Sequence, residues 1–570
     1  MSYLNAVIPY KLVIILYMSV EFIIRYFTSQ ILPAAQIVLS RALLFSFMGT
    51  LADLLPVMVL MYLFKITHKN IFGLLSCIWI FLSVFFVSLN YILIKYTLSI
   101  LDKSLFYLIL DNLNSESMRG FLGDYFYLYI LLGIIIFFIS IKNILKYQNS
   151  ILATKIKNRG GYLVVITICL YFNFSNAYPQ NGRLYAYDLR GWIWQPSIYT
   201  ITQLIDFSAI KTMPDDKSAS ILNEDEKKEL INIGLYDNNS IVQNIKFNKM
   251  IFIVVESLDK NYIHFYNKDI PEGVTNFLDY LVLSYPSFEN YFTAATSTDN
   301  GINALFCSRL DYYSDREKYT LGKFSNSLFT VFHELDYKSY FIRGSSKKYG
   351  NHDIYYNNLF NIGRFVTAED FVKKYKIKPK QWGVTDEYLF TEALEILEKD
   401  EKQIVVINTI DTHPPYRDYD ERKFENKFLN SIYFLDKNLE RFYLQLQKKN
   451  LLKDDVLIII TADHSATGGE NYTKRSNLEP DRIPLIFITN NDDIKNLDKN
   501  KYCSAIDVVP TILSLAGMDI PKEMMGSNLL TKKSIGVIKY KNELIMKFPN
   551  KECRVDLNEN SIYKKWYKQY

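Results

Sequence analysis

The sequence predicts a bundle of five transmembrane helices followed by an extracytoplasmic α/β domain with a mostly parallel central sheet. Two observations carry this fold class. From 250 to about 530, short β-branched runs alternate with helical stretches, a pattern typical of a parallel sheet covered by helices. Before residue 177, five segments are predominantly apolar, at 10–27, 39–64, 71–95, 125–145 and 161–176. The 570 residues are too many for one compact domain.

Most of the apolar segments reach the length of about 20 residues that a helix needs to cross a bilayer. The first contains Glu21 and Arg25, which are expensive in lipid unless they face a neighbouring helix or the interface. A cleaved signal peptide fits poorly, because further spans follow and no small-residue cleavage site is evident. We therefore expect a multi-pass membrane protein.

The charges of the loops set the orientation. The loops 65–70 and 142–160 are rich in lysine and arginine, whereas the loop 96–124 is predominantly acidic. The positive-inside rule places the basic loops and the N-terminus in the cytoplasm, and everything after about residue 177 outside. These loops also account for the net charge of +5, so no nucleic-acid partner is expected.

The composition indicates a bacterial protein, and together with the apolar segments it predicts a location in the bacterial inner or cell membrane. Abundant Lys, Asn, Ile and Tyr are typical of an AT-rich bacterial genome, but periplasm and Gram-positive exterior are not distinguished. Two of the five cysteines lie in predicted spans, which leaves Cys307, Cys503 and Cys553 and at most one disulfide. We expect each cysteine to be a small buried hydrophobe.

We predict four regions: a membrane domain over 1–176, an interfacial connector over 177–245, the α/β domain over 246–535, and C-terminal strands with a basic tail over 536–570. The predicted strands are 251–255, 338–342, 404–408, 456–460 and 485–488. The predicted helices include 224–233, 274–284, 386–399, 425–450 and 508–516.

Three acidic or imidazole side chains follow predicted strands directly. Asp463 and His464 come after the run 456–460, and Glu256 ends the run 251–255. Ligands of open α/β sheets bind at the carboxyl ends of the strands. Because carboxylate and imidazole together suit a transition metal, this edge predicts a site for one divalent ion, Mn²⁺ or Zn²⁺.

A threonine-rich turn over 291–301 precedes an apolar helical run. A hydroxyl at such a helix start can act as a nucleophile beside a metal, while the first backbone N–H groups hold an anionic oxygen. The alternative is that a Ser or Thr here only caps the helix.

Three further residues are candidates for binding substrate. His413 follows the run 404–408 and so reaches the same sheet edge; the alternative is a loop histidine packed on Pro414 and Tyr416. After the run 338–342, Arg343 is suited to clamp a phosphate and His352 to donate to it. Ordinary surface roles are the alternative for both.

Six motifs together carry a resemblance. They are 254–257 (VVES), 297–305 (STDNGINAL), 382–390 (WGVTDEYLF), 412–416 (THPPY), 461–464 (TADH) and 506–513 (IDVVPTIL). In this order they resemble the alkaline-phosphatase/sulfatase superfamily, and within it the membrane-anchored phosphoglycerol and phosphoethanolamine transferases, such as the lipoteichoic acid synthases. The resemblance covers nearly the whole chain.

The resemblance implies roles for single residues. Glu256, Thr298, Asp463 and His464 match the positions that hold the metal, and Thr298 also matches the nucleophile. His413 matches histidines that contact the substrate phosphate or the leaving group, and the stretch that contains Arg343 and His352 matches the part that binds glycerol phosphate.

The implied activity is transfer of a headgroup phosphate from a phospholipid, phosphatidylglycerol or phosphatidylethanolamine, to a cell-surface glycan or glycolipid through a phosphothreonine. Phosphoglycerol is favoured, because the chain has few cysteines and no histidine after His464, unlike lipid A phosphoethanolamine transferases. Alternatives are phosphoethanolamine transfer to lipid A, core sugar or protein, and hydrolysis of a phosphodiester or sulfate ester. Sulfate is disfavoured because 298–302 lacks the proline and arginine of a sulfatase turn. A non-catalytic sensor is disfavoured because all four metal-site positions are kept.

Overall fold

A computed structural model describes the chain over the following residues: 10–31, most of 46–97, parts of 131–139, 222–235 and 243–310 with single gaps at 234 and 296, 326–347, 352–380, 382–414, 416–465, 482–531, 534–540, 543–557 and 561–569. The chain divides into two compact units. The first comprises 1–113 and 119–212, and the second comprises 114–118 and 213–570.

The described part of the first unit is helical. Helix α1 spans Tyr10–Ile31 and α2 spans Asn70–Thr97. By length and hydropathy, Ile71–Leu89 is the single described helix that qualifies as a membrane span. The predicted spans 39–64 and 125–145 are described only in part, and 161–176 lies outside the described residues. Five spans therefore stay a prediction.

Charged side chains inside this unit are paired with each other. Glu21 and Arg25 on α1 are fully buried, and the Arg25 guanidinium donates to Asp53, which is also fully buried. Tyr17 donates to Glu21 over 3.0 Å and lies 2.9 Å from the Ser83 hydroxyl on α2. Glu21 and Arg25 thus face neighbouring helices, which is the arrangement that makes charged side chains tolerable in lipid.

The second unit is built on a six-stranded sheet of order β4-β3-β5-β1-β6-β7. Its strands are β1 Lys249–Val255, β3 Lys338–Arg343, β4 Arg364–Val366, β5 Gln403–Asn408, β6 Val456–Ala462 and β7 Leu485–Ile488. All neighbouring pairs are parallel except β6 with β7. The central strands β1, β5 and β6 are buried along almost their whole length, which explains their near-continuous apolar runs.

Helices cover this sheet, as predicted. They are α3 Glu224–Ile233, α4 Asn276–Ser284, α5 Thr298–Cys307, α6 Leu328–His333, α7 His352–Phe360, α8 Ala368–Tyr375, α9 Asp386–Leu397, α10 Lys427–Lys448, α11 Asp492–Lys495, α12 Val508–Leu515 and α13 Ile562–Gln569. The long helix α10 begins at an Asn426 cap, whose side chain accepts from the Leu429 N–H. One continuous apolar core joins the helices to both faces of the sheet.

Two smaller sheets complete the unit. Strands β2 Asn290–Phe292 and β8 Tyr502–Ser504 pair in parallel, and β9 Gly536–Tyr540, β10 Glu543–Phe548 and β11 Lys551–Asp556 form an antiparallel sheet. Strands are thus present in the C-terminal region, where the sequence predicted them, and the basic tail that follows is helix α13, anchored by the fully buried Trp566. Cys307 and Cys503 are buried and unbridged, as expected of small hydrophobes, but Cys553 on β11 is only half-buried, so the expectation is wrong for this residue.

The parallel strands end at one edge, and this edge organises the site. In register, Val254 of β1 faces Asn408 of β5 and Thr461 of β6, and Arg343 of β3 faces Asn408 from the other side. The residues that follow these four strands therefore emerge side by side.

Candidate metal centre and active site

Adjacent strands bring three candidate ligands together. Glu256 follows β1, and Asp463 and His464 follow β6, whose last residue Ala462 pairs with Val255. The ligand atoms of the three side chains all lie within 4.8 Å of one another. All three residues are buried. The sequence reasoning that strand ends deliver these groups to one place agrees with this geometry.

The donor set fits a divalent cation. The Nδ1–H of His464 donates to the Ser465 carbonyl over 2.9 Å, so the lone pair of a neutral imidazole is on Nε2. This Nε2 lies 3.5 Å from Glu256 Oε1 and 3.9 Å from Asp463 Oδ2. Among the described residues, the buried Asp463 Oδ2 has no hydrogen-bond partner. A lone pair and two carboxylates that face each other require a positive charge between them.

The pKa values of the three candidate ligands also indicate that this cluster favours a positive charge. Burial alone would lower the pKa of His464, but the Asp463 and Glu256 carboxylates raise it to about 9. Burial and the charge of Glu256 raise the pKa of Asp463 to about 7. Burial would also raise the pKa of Glu256, yet the charges of His413 and His464 bring it far below its usual range. Where no metal is bound, a proton on His464 supplies the positive charge.

Thr298 places its hydroxyl against this cluster. Its Oγ1 donates to Glu256 Oε2 over 3.1 Å and lies 3.5 Å from His464 Nε2. Thr298 is the first residue of α5, and Ser297 occupies the cap position without a side-chain cap hydrogen bond. The half-buried Thr298 is reachable from solvent, whereas the three candidate ligands beside it are buried, which suits a nucleophile better than a helix cap. Thr296 lies outside the described residues.

Gly301 allows helix α5 to come this close. A Cβ added there would lie 1.9 Å from the Asp463 carbonyl oxygen. The first turn of α5 thus rests directly on the backbone that carries two of the candidate ligands. Only glycine fits this contact without displacement of the helix.

Sequence reasoning missed several supporting residues, Ser257 first among them. The Ser257 backbone N–H donates to Asp463 Oδ1 over 2.9 Å, and its hydroxyl donates to Glu256 Oε1 over 2.6 Å. It does so from a left-handed conformation, φ 52°, which is strained for a serine. Thr412 donates to the Glu256 carbonyl over 2.6 Å. The sequence held one signal for both residues: Ser257 is adjacent to Glu256, and Thr412 is adjacent to His413, within motifs that were already identified.

His413 lies on the loop after β5, at the same edge. Its Nδ1–H donates to the Pro414 carbonyl over 2.6 Å, and its ring centroid is 4.2 Å from that of Trp382. Burial lowers the pKa of His413, and the positive charges of His464 and Arg343 act in the same direction. A neutral imidazole held in this way presents a basic Nε2.

Arg343, predicted to bind phosphate, lies at the end of β3 and is almost fully buried. Its NH1 donates to the Tyr356 hydroxyl over 3.2 Å and lies 3.8 Å from Asp299 Oδ1. Asp299 directly follows Thr298, so the structure brings Arg343 to the start of helix α5. His352 begins α7, but its side chain lies outside the described residues, and its predicted role stays a prediction.

Fold and site together define an α/β domain of the alkaline-phosphatase/sulfatase type, with a mostly parallel sheet and a candidate metal centre at its carboxyl edge. Residues 248–518 match the sulfatase family model.

Known proteins resemble longer stretches of the chain. Lipoteichoic acid synthase 2 of Bacillus subtilis (strain 168) is 24% identical over 376 residues, which are 59% of this chain and 56% of that protein. The chain thus spans a little over half the length of this curated relative. Lipoteichoic acid synthase of Staphylococcus saprophyticus is also 24% identical, over 377 residues, with the same coverage of both chains. Among solved structures, the integral membrane protein lipooligosaccharide phosphoethanolamine transferase A from Neisseria meningitidis is 14% identical, with a TM-score of 0.49, and covers 89% of this chain and 95% of its own.

Proposed function

We propose that this protein is a membrane-bound, metal-dependent phosphotransferase that moves a phospholipid headgroup phosphate, with phosphoglycerol favoured, to a cell-surface glycan or glycolipid. One observation carries the proposal: the Thr298 hydroxyl lies 3.1 Å from Glu256 and 3.5 Å from His464 in a donor set that fits a divalent cation. The similarity to lipoteichoic acid synthases supports the choice of a transferase and of a lipid donor.

Glu256, Thr298, Asp463 and His464 would hold the metal, Mn²⁺ or Zn²⁺. When bound, it would lower the pKa of the Thr298 hydroxyl and neutralise charge on the phosphate. Ser257 and the His464 N–H fix the Asp463 carboxylate by donating to its Oδ1 over 2.9 and 2.7 Å, which leaves Oδ2 for the ion. Such supporting hydrogen bonds orient ligands and tune their basicity.

The chemistry follows from a nucleophile and a proton carrier at one edge. Thr298 Oγ1 attacks phosphorus, so that a bond from threonine to phosphorus forms while the bond from phosphorus to the diacylglycerol oxygen breaks. The neutral Nε2 of His413 accepts the proton of the attacking hydroxyl and returns it to the leaving oxygen. In the second half-reaction, an acceptor hydroxyl displaces Thr298 by the same exchange.

The membrane location belongs to the proposal. A donor phospholipid and the diacylglycerol left behind both stay in the bilayer, so an anchored enzyme meets substrate without extracting it. We propose a multi-pass protein of a bacterial cell membrane whose catalytic domain faces the periplasm or the exterior.

The test is peptide mass analysis of the full-length protein in nanodiscs, after incubation with Mn²⁺ and phosphatidylglycerol or phosphatidylethanolamine. We expect a headgroup phosphate on Thr298, and the mass of the adduct identifies the donor. Thr298→Ala abolishes the adduct and at least 10³-fold of the turnover, as expected when a nucleophile is removed. The matched control is Ser297→Ala, which removes the neighbouring exposed hydroxyl and leaves both unchanged.

The outcomes separate the alternatives. A phosphoethanolamine adduct would replace phosphoglycerol with the second headgroup. Free headgroup phosphate that appears at full rate without any acceptor would indicate a hydrolase. Full activity of Thr298→Ala would refute the covalent route.

A further inference from the structure

Three side chains on three different elements form a hydrogen-bonded chain beside the nucleophile. Arg343 NH1 donates to the Tyr356 hydroxyl over 3.2 Å, and the same hydroxyl donates to Asp299 Oδ1. Arg343 ends β3, Tyr356 lies within α7, and Asp299 is the second residue of α5. The phenol oxygen therefore stands between a guanidinium and a carboxylate.

Tyr356 is held rigidly. Its side chain is fully buried, and its ring stacks on Phe341 and Phe360 with centroid distances of 5.4 and 5.5 Å. Phe365 meets the same ring edge-on at 5.9 Å. These three aromatic contacts leave the hydroxyl little freedom to move. The ring thus acts as a fixed arm that presents one oxygen to Arg343 and Asp299.

The distance from Arg343 to Asp299 shows what the phenol does. An arginine and a carboxylate that meet directly form a pair of parallel hydrogen bonds at about 2.7–2.9 Å. Here Arg343 NH1 and Asp299 Oδ1 are 3.8 Å apart, whereas the same NH1 lies 3.2 Å from the Tyr356 hydroxyl, so its hydrogen bond goes to the tyrosine. Asp299 is partly exposed, with 16% of its side chain accessible, whereas Arg343 is almost fully buried.

We propose that Tyr356 is a positioning residue that keeps the Arg343 guanidinium from closing onto Asp299, and so holds it ready to bind the phosphate that Thr298 attacks. This rests on the proposed function, since it assigns the phosphate to Arg343. Asp299 directs the phenol by accepting a hydrogen bond from its O–H. Without the phenol oxygen, the Arg343 guanidinium moves toward Asp299 and forms an ion pair with its carboxylate. Arg343 then no longer binds the substrate phosphate.

The ordinary alternative is that Tyr356 only satisfies a buried arginine. Both explanations predict some loss of stability in Tyr356→Phe, so unfolding alone does not separate them. They differ in the double variant. If Asp299 captures Arg343 when the phenol oxygen is gone, Asp299→Asn removes the competing charge and restores binding. If the tyrosine is only structural, the two substitutions have independent effects that add.

The experiment measures three quantities on the full-length, Mn²⁺-loaded protein in nanodiscs: KM and kcat for the lipid donor, and the Kd for sn-glycerol 1-phosphate, the headgroup phosphate of phosphatidylglycerol, by calorimetry. We expect Tyr356→Phe to raise KM and Kd on the order of tenfold with a smaller change in kcat, the effect of one hydrogen bond to a charged group. Asp299→Asn alone, whose amide oxygen still accepts from the phenol, leaves both constants within about twofold. The double variant recovers to within about threefold of the wild type.

Two controls keep the result decisive. Tyr355→Phe removes the hydroxyl of the neighbouring buried tyrosine on α7 and leaves KM and Kd unchanged. Thermal unfolding of each variant shows that it is folded; should Tyr356→Phe fail to fold, Asp299→Asn alone decides, because a tenfold rise in KM there means that Asp299 is needed as a charge.

Each remaining outcome has one meaning. An unrescued double variant, or a Tyr356→Phe variant with unchanged KM and Kd, overturns the role of Tyr356. Wild-type protein that binds glycerol phosphate but transfers no headgroup refutes the proposed function, while the Kd comparison still tests Tyr356. Wild-type protein that does neither overturns both.

Discussion

Replacing Gly301 by alanine tests whether α5 must rest on the strand that carries the candidate ligands. The added Cβ would lie 1.9 Å from the Asp463 carbonyl oxygen and 2.7 Å from its carbon. Since carbon and oxygen normally approach to about 3.3 Å, the first turn of α5 has to retreat by about 1.4 Å. Both atoms belong to backbone, so no flexible side chain can relieve the clash.

That retreat acts on function more strongly than on stability. It moves Thr298 out of reach of Glu256, whose Oε2 is now 3.1 Å from the hydroxyl. A misplacement of about 1 Å at a reacting group costs on the order of 10²-fold in rate. Overpacking costs a further 1–3 kcal/mol, roughly, of folding free energy. We expect Gly301→Ala to form phosphothreonine at least about 100-fold more slowly.

The assay is the rate of adduct formation, together with urea unfolding of the same preparation. If the contact did not matter, Gly301→Ala would instead stabilise the protein, because alanine is a better helix former than glycine by about 1 kcal/mol. A Gly301→Ala protein that is more stable than the wild type and equally active would refute the account of this contact.

Two further predictions concern the metal and the loop that carries His413. Without metal, the pKa of His464 is about 9 and that of Asp463 is about 7, so Mn²⁺ displaces about one proton at pH 8 and about two below pH 7. The affinity for Mn²⁺ therefore falls as the pH falls. Calorimetry in buffers of different ionisation enthalpy counts the released protons, and a Kd for Mn²⁺ that is constant between pH 6 and 8 would contradict this prediction. Arg417→Met removes the 2.6 Å ion pair with the buried Asp411, which keeps its hydrogen bonds from Tyr419 and the Asp386 N–H but loses the positive charge beside it. We expect a loss of about 3–5 kcal/mol in urea unfolding, and a loss below about 1 kcal/mol would refute the importance of the pair.

The sequence predicted the central part of the domain well, because its strands are continuous apolar runs. The predicted strand 485–488 matches β7, and 456–460 lies inside β6. Short edge elements were missed, such as β4 with three residues. Their pairing depends on neighbours far along the chain and not on a local pattern.

The candidate site was predictable to the extent that its residues follow strands. Glu256, Asp463 and His464 could be placed because parallel strands end at one edge. Tyr356 could not, since it comes from a helix and a phenol in an aromatic stretch reads as core. The hydrogen bonds of Ser257 could not be predicted either, because they depend on a left-handed backbone conformation that no local sequence pattern indicates.

The ion pair between Arg25 and Asp53 bears on how the chain enters a membrane. In the proposed membrane domain, α1 taken alone would carry Glu21 and Arg25 into lipid, and each is costly there without a partner. The partner of Arg25 is synthesised 28 residues later. For a chain released segment by segment into the bilayer, α1 therefore becomes stable only when the next segment arrives, so the two segments are best inserted as a pair.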